Sequence, residues 1–264
     1  MSIFQQFDLS GKTALITGGS SGIGEAMAEA LGQAGAKIIL VARRKPQLEE
    51  ARERLVAKNV NVISCISADL ESLDASSVLA KEAITSAGEV DILVNGAGVN
   101  LRETFMEVSQ ESWSRQIHLQ FSAPFFLTQA LAPQMKKNHW GRIINIASLQ
   151  SYRAFPNSTP YGPAKGGILQ LTRAIAQEWS NFGIRVNIIH PNAVFDTGIW
   201  SKDIIKNRAK SYEMSIEDYK KNNLLKTEIT SKDVAELITQ MCGSSFFKTT
   251  GAQVSIDGGN ERVI

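Results

Sequence analysis

Short apolar runs and longer amphipathic stretches alternate along most of this chain. A short apolar run between turn residues predicts a buried strand, and apolar positions every three or four residues predict a helix. Strands are predicted at 13–17, 37–42, 60–66, 91–94, 142–147, 184–189 and 252–256, and helices at 26–31, 46–58, 75–87, 110–137, 160–180 and 231–241. Steady alternation of this kind is typical of a parallel sheet with helices on both faces, so we expect a doubly wound α/β fold.

One segment departs from this alternation, from Phe195 to about Glu228. It mixes apolar residues such as Ile199 and Trp200 with many charged ones. An amphipathic excursion over the carboxyl edge of the sheet, where α/β proteins bind ligands, and a plain surface insertion are both open. Because no linker or break in composition divides the chain, we expect one domain over residues 1–264.

The first predicted strand ends in a glycine-rich turn, Gly18-Gly19-Ser20-Ser21-Gly22-Ile23-Gly24, before the first helix. Strand, glycine turn, helix and second strand follow within about 30 residues, the context that a dinucleotide fingerprint requires. Glycines let the backbone approach a pyrophosphate, which the free N–H groups of the helix N-terminus attract. The sequence therefore predicts a single-domain Rossmann fold that binds a dinucleotide.

Composition narrows the remaining classes. The chain has 264 residues, 43% of them hydrophobic and 20% charged, with a net charge of +2. No dense Lys/Arg stripe is present, which argues against nucleic-acid binding. Cys65 and Cys242 suggest neither a disulfide framework nor a zinc site, and His118, His139 and His190 lack metal-ligand spacing, so no metal is expected.

The amino end indicates where the protein works. Residues 1–10 contain Gln5, Gln6 and Asp8 and lack the basic and apolar regions of a signal peptide. No apolar run approaches the roughly 20 residues that span a bilayer. We expect a cytoplasmic protein with no membrane partner.

Tyr161 and Lys165 carry the first candidate chemistry. On a helix they lie at i and i+4 on one face, where a cation beside a phenol would lower the tyrosine pKa from about 10. Ser158 or Thr159 can cap this helix, with Pro160 at its first position. The spacing alone is more typical of an ordinary half-exposed helix face, so a catalytic interpretation needs support from the rest of the chain.

That support comes from a set of motifs that, in this order, resembles the short-chain dehydrogenase/reductase family across essentially the whole chain. The set comprises the glycine turn after Thr17, Asp69, Asn95-Gly96-Ala97-Gly98, Ser148 placed 13 residues before Tyr161, Pro191 with Thr197, and Asp257-Gly258-Gly259. The resemblance implies an oxidoreductase that transfers hydride between a nicotinamide and a carbonyl/alcohol pair. It also implies a homo-oligomer, most often a tetramer.

The same resemblance implies the roles of individual residues. Negative charge develops on the carbonyl oxygen during reduction, and Ser148 can donate a hydrogen bond to it while Tyr161 donates a proton. Lys165 would hold Tyr161 in a low-pKa state and bind the nicotinamide ribose. The expected cofactor-binding residues are Gly18, Ser20, Ser21, Gly22, Ile23, Gly24, Arg43, Arg44, Asp69, Leu70, Asn95, Ala97, Tyr161, Lys165, Pro191, Val194 and Thr197.

Gln120 departs from the family pattern. It stands where the family commonly has an Asn that helps to hold a water relaying protons to the Lys. A Gln keeps the amide but adds a methylene, which puts the relay in question more than the hydride step. Gln120 therefore joins Ser148, Tyr161 and Lys165 as a candidate catalytic residue.

The end of the second strand indicates the cofactor. An NAD-binding member would carry an acid there, but this chain has Ala42 followed by Arg43 and Arg44. Arg43 can bind a 2′-phosphate as a charge-assisted fork. Ser21 tempers this, because some NADP-dependent relatives have a basic residue at that place. We expect NADP, with NAD as the alternative.

The substrate is indicated only as a small molecule of sugar, polyol, hydroxy acid or 3-oxoacyl type. Expected substrate contacts are Ser148, Gln150, Tyr161 and Trp200, and further candidates for the pocket wall are Tyr152, Arg153, His190 and Ile199. A non-catalytic nucleotide-binding sensor or scaffold is the second hypothesis, since a fold does not determine function.

Overall fold

The computed structural model describes residues 3–72 and 74–260, so residues 1, 2, 73 and 261–264 of the predicted domain lie outside the described residues. The strands are β1 Thr13–Thr17, β2 Lys37–Ala42, β3 Val62–Ser67, β4 Ile92–Asn95, β5 Gly141–Ile146, β6 Ile184–Pro191 and β7 Gln253–Ile256. The helices are α1 Gly22–Gln33, α2 Lys45–Val56, α3 Ala75–Ala87, α4 Gln110–Ile117, α5 Ala123–Lys137, α6 Tyr161–Trp179, α7 Lys202–Ser211, α8 Ile216–Lys220 and α9 Ser231–Cys242. Each predicted strand lies within two residues of its expected bounds.

The seven strands of the described residues form one parallel sheet in the order β3-β2-β1-β4-β5-β6-β7. Strands β2 and β3 extend from β1 in one direction, and β4 to β7 extend in the other. Thr17 at the end of β1 pairs with Asn95 at the end of β4, so the two carboxyl ends are level. This is the topological switch point, where a crevice for a ligand opens in such sheets.

Side chains of β1 show why both faces of the sheet are covered. Ala14 and Ile16 pack into one apolar cluster with Leu31 of α1, whereas Leu15 packs into the opposite cluster with Leu131 of α5. All five side chains are fully buried. Because alternate side chains of a strand point to opposite faces, a strand buried on both sides reads as a continuous apolar run. The predicted doubly wound α/β fold is confirmed.

The long helix predicted over 110–137 is interrupted by one π-helical turn. Helix α4 continues through His118–Ser122, which has π-type hydrogen bonding, directly into α5. Such a turn accommodates an extra residue and often marks a functional site. Here it contains Gln120, whose side chain is only 1% exposed.

The predicted cap of α6 is wrong. The hydroxyls of Ser158 and Thr159 are buried and have no hydrogen-bond partner in the described part of the chain. Pro160 already has helical backbone angles, with φ −78° and ψ −37°, and Tyr161 is the first helical residue. The N–H of Gly162 donates to the carbonyl of Ser158 at 2.9 Å, so a backbone turn supplies the entry that a side chain was expected to supply.

The segment 195–228 contains the two helices α7 and α8, each started by a serine that accepts a hydrogen bond from the third residue of its helix. Val194 and Ile229 form an isolated bridge that closes the base of the excursion. Among the described residues, no helix has both the length and the apolar character needed to cross a bilayer.

Candidate active site

The glycine turn packs backbone against backbone at the switch point. A Cβ on Gly24 would lie 2.0 Å from the carbonyl oxygen of Gly18, and one on Gly18 would lie 3.1 Å from the backbone of Ala97. Ser21, at the N-terminus of α1, makes no capping hydrogen bond with its side chain. The first N–H groups of α1 are therefore left for a ligand, and an anion is the group that they attract.

A groove of 260 Å³ adjoins this turn; we name it the glycine groove. Its lining includes the predicted residues Gly18, Ser20, Arg43, Arg44, Asp69, Leu70 and Ala97, together with Glu71, Arg115 and Leu119. The ends of β1, β2, β3 and β4 supply most of these residues, because parallel strands end at the same edge. The structure thus brings together much of the cofactor set that the sequence predicted.

Glu71 forms a charge network that the sequence did not reveal. Its Oε1 lies 3.3 Å from Nη1 of Arg43 and 2.8 Å from Nε of Arg115. Arg43 is 53% exposed and the pair is open to water, so the bond is weak and can be exchanged for another anion. Arg115 lies on α4, distant from Arg43 in the chain, and no local sequence signal connects them.

Asn95 has a structural role inside the sheet. Its Nδ2 donates to Oδ1 of Asn145 at 2.8 Å, and Asn145 in turn donates to Thr172 at 2.9 Å. These buried bonds tie β4 to β5 and α6, because buried amides must find partners. The cofactor contact predicted for Asn95 stays a prediction, as do those of Ser21, Ile23, Pro191 and Val194.

Thr197 is brought to the glycine turn by the segment that follows β6. A Cβ on Gly22 would lie 3.3 Å from Cγ2 of Thr197. Thr197 is fixed there by a 2.9 Å hydrogen bond from its hydroxyl to the carbonyl of Val194. The two segments predicted to flank the cofactor are therefore neighbours.

Ser148 is held by its own backbone surroundings. Its Oγ accepts a hydrogen bond from the N–H of Gln150 at 3.2 Å, and its carbonyl lies 3.0 Å from Nδ1 of His190. Since the hydroxyl oxygen already accepts a bond, its proton can point away toward another acceptor. The capping role and the predicted donor role of Ser148 are thus compatible.

Tyr161 and Lys165 lie close together, but their electrostatics differ from the expectation. Burial raises the pKa of Tyr161, and a hydrogen bond with Ser148 offsets this only in part. Lys165 Nζ lies 5.7 Å from the Tyr161 ring centroid and donates to the carbonyl of Ile146 at 2.7 Å. The prediction of a lowered tyrosine pKa is wrong, because the lysine charge is directed at a backbone carbonyl and does not compensate for burial.

Lys165 itself responds to burial. It is 5% exposed, and desolvation lowers its pKa to about 8. At neutral pH the ammonium keeps its proton, and Tyr161 keeps its own. Both side chains are therefore protonated at the start of a carbonyl reduction, Lys165 as an ammonium and Tyr161 as a neutral phenol.

Gln120 faces the same point as Lys165. Its Nε2 donates to the carbonyl of Val99 at 2.8 Å, whereas its buried Oε1 has no partner among the described residues. A Cβ on Gly98 would lie 3.2 Å from that Oε1 and 3.8 Å from Nζ of Lys165. An acceptor and a donor thus converge above Gly98, and the part of Gln120 in proton relay stays a prediction.

A second cavity, of 510 Å³, lies beneath the 195–228 segment; we name it the excursion cavity. Gln150, Arg153, Ile199 and Trp200 line it, as predicted. Further lining residues that the sequence did not single out are Asn100, Arg102, Asn192, Arg208, Tyr219 and Asn222. The excursion therefore forms one wall of this cavity, and its predicted role over the substrate stays a prediction.

Tyr152 and His190 are not part of the lining of this cavity, and neither are Ser148 and Tyr161, so the substrate contacts predicted for all four stay predictions. The rings of Tyr152 and His190 pack against each other with centroids 4.9 Å apart and planes tilted by 59°, and the Tyr152 hydroxyl lies 3.0 Å from Oγ of Ser255. Burial lowers the pKa of His190, which keeps its imidazole neutral. Within residues 3–72 and 74–260, no group of three or more His, Cys, Asp or Glu side chains is arranged to hold a metal.

Comparison with known proteins agrees with this geometry. The sequence profile described as short chain dehydrogenase matches residues 12–207. The chain belongs to the short chain dehydrogenase family. Within that family it is 37% identical over 190 residues to 2-dehydro-3-deoxy-D-gluconate 5-dehydrogenase of Dickeya dadantii, covering 72% of this chain and 74% of the relative. It is 35% identical over 253 residues to D-beta-hydroxybutyrate dehydrogenase of Rhizobium meliloti, covering 94% and 98%.

A solved structure extends the comparison. The L-sorbose reductase of Gluconobacter frateurii, complexed with NADPH and L-sorbose, superposes on this dehydrogenase with a TM-score of 0.89. The two chains are 30% identical, and the match covers 98% of this chain and 100% of the other. The predicted family, fold and oxidoreductase class are confirmed.

Proposed function

We propose that this dehydrogenase transfers a hydride between NADP(H) and the carbonyl or secondary alcohol of a sugar, polyol, hydroxy acid or 3-oxoacyl compound. The observation that carries the proposal is the contact chain from Ser148 to Tyr161, Lys165 and Gly98, which ends beside the glycine turn. A proton donor, a hydrogen-bond donor and a buried cation thus lie close together at the carboxyl edge of the sheet.

The residues of the chain would act on the oxygen of the reacting carbonyl. Ser148 donates a hydrogen bond to that oxygen and Tyr161 transfers its phenolic proton to it as negative charge develops. The protonated Lys165 stabilises the phenolate that Tyr161 becomes and can pass it a proton. Water then returns a proton to Lys165, and Oε1 of Gln120 can accept a hydrogen bond from that water. A bound nicotinamide supplies or accepts the hydride.

The glycine groove fits NADP. The close approach of Gly24 to Gly18 leaves room for a pyrophosphate against α1, and Arg43 and Arg44 line the groove where a 2′-phosphate would be neutralised. On binding, Arg43 would exchange its ion pair with Glu71 for one with the 2′-phosphate. The complex of the sorbose reductase relative with NADPH supports the preference for NADP over NAD.

The substrate range draws support from the relatives, which act on a keto sugar acid, a hydroxy acid and a keto sugar according to their names. A non-catalytic sensor or scaffold is the alternative. It needs the nucleotide groove but has no use for Ser148, Tyr161 and Lys165 in contact, so the geometry favours the enzyme.

We further propose a cytoplasmic homotetramer. The free Cys65 and Cys242 suit a reducing compartment, and exposed apolar residues of α4 and α5, Trp113, Phe125 and Phe126, suit contacts between subunits. Multi-angle light scattering would give four times the 28.8 kDa mass of the chain. A monomer at micromolar concentration would contradict the assembly.

The function is tested with a panel of carbonyl and alcohol compounds while NADPH absorbance is followed. We expect turnover with at least one class, and a loss of about 10³ in kcat for Tyr161→Phe, because the phenol supplies the proton. NADPH should still bind to the variant. If the wild-type protein binds NADPH and turns over no compound, the scaffold hypothesis replaces this one.

A further inference from the structure

Arginines without acidic partners face the excursion cavity. Arg102, Arg153 and Arg208 line it, and none forms a salt bridge within the described residues. The fourth basic residue of the lining, Lys220, is paired with Glu228 at 2.9 Å. The cavity therefore carries unneutralised positive charge.

Among the described residues, the lining carries a single carboxylate against the three arginines, so its net charge stays positive. The one acid that lines the cavity within the described residues is Asp257, which is buried and accepts the N–H of Gly259 at 2.9 Å in its own turn. The carboxylate of Asp257 is thus engaged by the backbone near the end of β7. A positive cavity of this kind concentrates anions.

Neutral contacts hold two of these guanidinium groups in place. Arg102 donates from Nη2 to the carbonyl of Pro156 at 3.1 Å. Arg208 lies over the Trp200 ring, 5.7 Å from its centroid, and lines the same cavity as Tyr219. A carbonyl and an indole orient the cations without cancelling their charge, so most donors of each fork remain for a ligand.

Arg102 and Arg208 are also close enough to repel each other. Burial, and after it the charge of Arg208, lowers the pKa of Arg102. Two like charges held together cost free energy unless an anion lies between them. Their convergence, from the loop after β4 and from α7, is therefore more typical of an anion site than of a structural contact.

The rest of the lining indicates the body of the ligand. Several amide side chains line the cavity. Gln150 lies two residues after Ser148, Asn192 directly follows Pro191, and Asn222 lies on the excursion. Their amides can donate to and accept from hydroxyl groups, and Trp200 offers an apolar face. A cavity of 510 Å³ holds a hydroxylated chain of several carbons.

We propose that the substrate carries an anionic oxygen group, a carboxylate or a phosphate, which Arg102 and Arg208 bind inside the excursion cavity. This inference rests on the proposed function, since it places the reacting carbon of the same molecule at Ser148 and Tyr161. Arg153 adds to the positive field. The amide side chains bind the hydroxyl groups between the two ends.

The test uses matched ligands on the whole protein. Binding of gluconate, its uncharged analogue sorbitol and sorbitol 6-phosphate is measured by titration calorimetry, with and without NADP. We expect at least one anion to bind about tenfold or more tightly than sorbitol, since an arginine–anion bond is charge-assisted. Tighter binding of gluconate would show that the site takes a carboxylate, and tighter binding of sorbitol 6-phosphate would show that it takes a phosphate.

The variants separate this proposal from general charge effects. Arg102→Gln and Arg208→Gln should each raise the anion Kd about tenfold while NADPH affinity and the affinity for sorbitol stay unchanged. Lys210→Gln removes a cation of α7 that does not line the cavity, and should change nothing.

Anion affinity that survives both arginine substitutions, sorbitol binding as tightly as the anions, or no binding of either anion would overturn the proposal. Failure of the proposed function looks different. In that case the anions bind through Arg102 and Arg208 but no compound is oxidised or reduced.

Discussion

The glycine groove reaches Gly98 beside Lys165, and the excursion cavity reaches Gln150, two residues after Ser148, but the two are built differently. The groove depends on close backbone contacts, such as that between Gly24 and Gly18, and its Arg43 is already paired with Glu71. The cavity depends on side chains of a long excursion, and its Arg208 is unpaired. A shared cofactor suits a backbone site, whereas a variable substrate suits side chains that can change without disturbing the sheet.

Lys165 lies between these two regions and differs from the arginines of both. It is buried, it has no acidic partner within the described residues, and its ammonium donates to a backbone carbonyl. Exposed arginines lose little by standing alone, but a buried cation loses its hydration. The buried positive charge of Lys165 therefore lowers the free energy of unfolding of the protein.

The largest expected effect comes from Gly24→Ala, which tests whether the glycine groove depends on close backbone contacts. The added Cβ would meet the carbonyl oxygen of Gly18 at 2.0 Å, so the turn must shift and the α1 N-terminus with it. We expect loss of NADPH binding by at least about 100-fold by fluorescence titration. Gly198→Ala is the matched control, because nothing lies within 4 Å of its Cβ. Equal NADPH affinity in both variants would contradict this view of the turn.

The next largest effect is the contribution of Lys165 to the pH dependence of the free energy of unfolding. Its pKa falls from 10.5 to about 8 on folding, so between these pH values the unfolded chain binds more protons than the folded chain. The free energy of unfolding should therefore rise with pH across this window, by up to about 3 kcal/mol, and the burial cost is fully present below pH 8.

Lys165→Met removes the titrating group and should abolish that rise. Urea denaturation of both proteins at several pH values from 7.5 to 10 measures the difference. His190, whose pKa burial and the charge of Lys165 lower, titrates below this range. Parallel stability profiles would show that the lysine is not desolvated in the folded protein.

The smallest effects belong to the charge network of the glycine groove. Arg43→Ala should raise the KM for NADPH about tenfold and leave the KM for NADH unchanged, since only NADPH carries the 2′-phosphate. Lys45→Ala is the control for loss of an exposed cation. Glu71→Gln should act in the opposite sense and lower the KM for NADPH a few fold, because exposed pairs contribute little. An unchanged NADPH KM in Arg43→Ala would contradict the assignment to NADP.

Two predictions from the sequence, the direction of the Tyr161 pKa shift and the cap of α6, were wrong because burial decides both. The spacing of Tyr161 and Lys165 correctly predicts that they share a helix face, but the direction of the tyrosine pKa depends on how far the phenol is desolvated and where the ammonium points. Similarly, Ser158 and Thr159 are good capping residue types, yet their hydroxyls are buried before α6 begins. Local propensity gives no information on either point.

By itself the sequence determined the order of the strands and the glycine turn, because these follow from periodicity and from residues that are close in the chain. The candidate catalytic group was predicted through the resemblance to the family. Only the tertiary structure decided that Glu71 joins Arg43 to Arg115 and that Arg102 meets Arg208 in one cavity. These groups come from distant segments. The strands β2 and β3 end at the same edge of the sheet and place Arg43 near Glu71, whereas the folding of the excursion over the sheet brings Arg208 to the cavity that Arg102 lines.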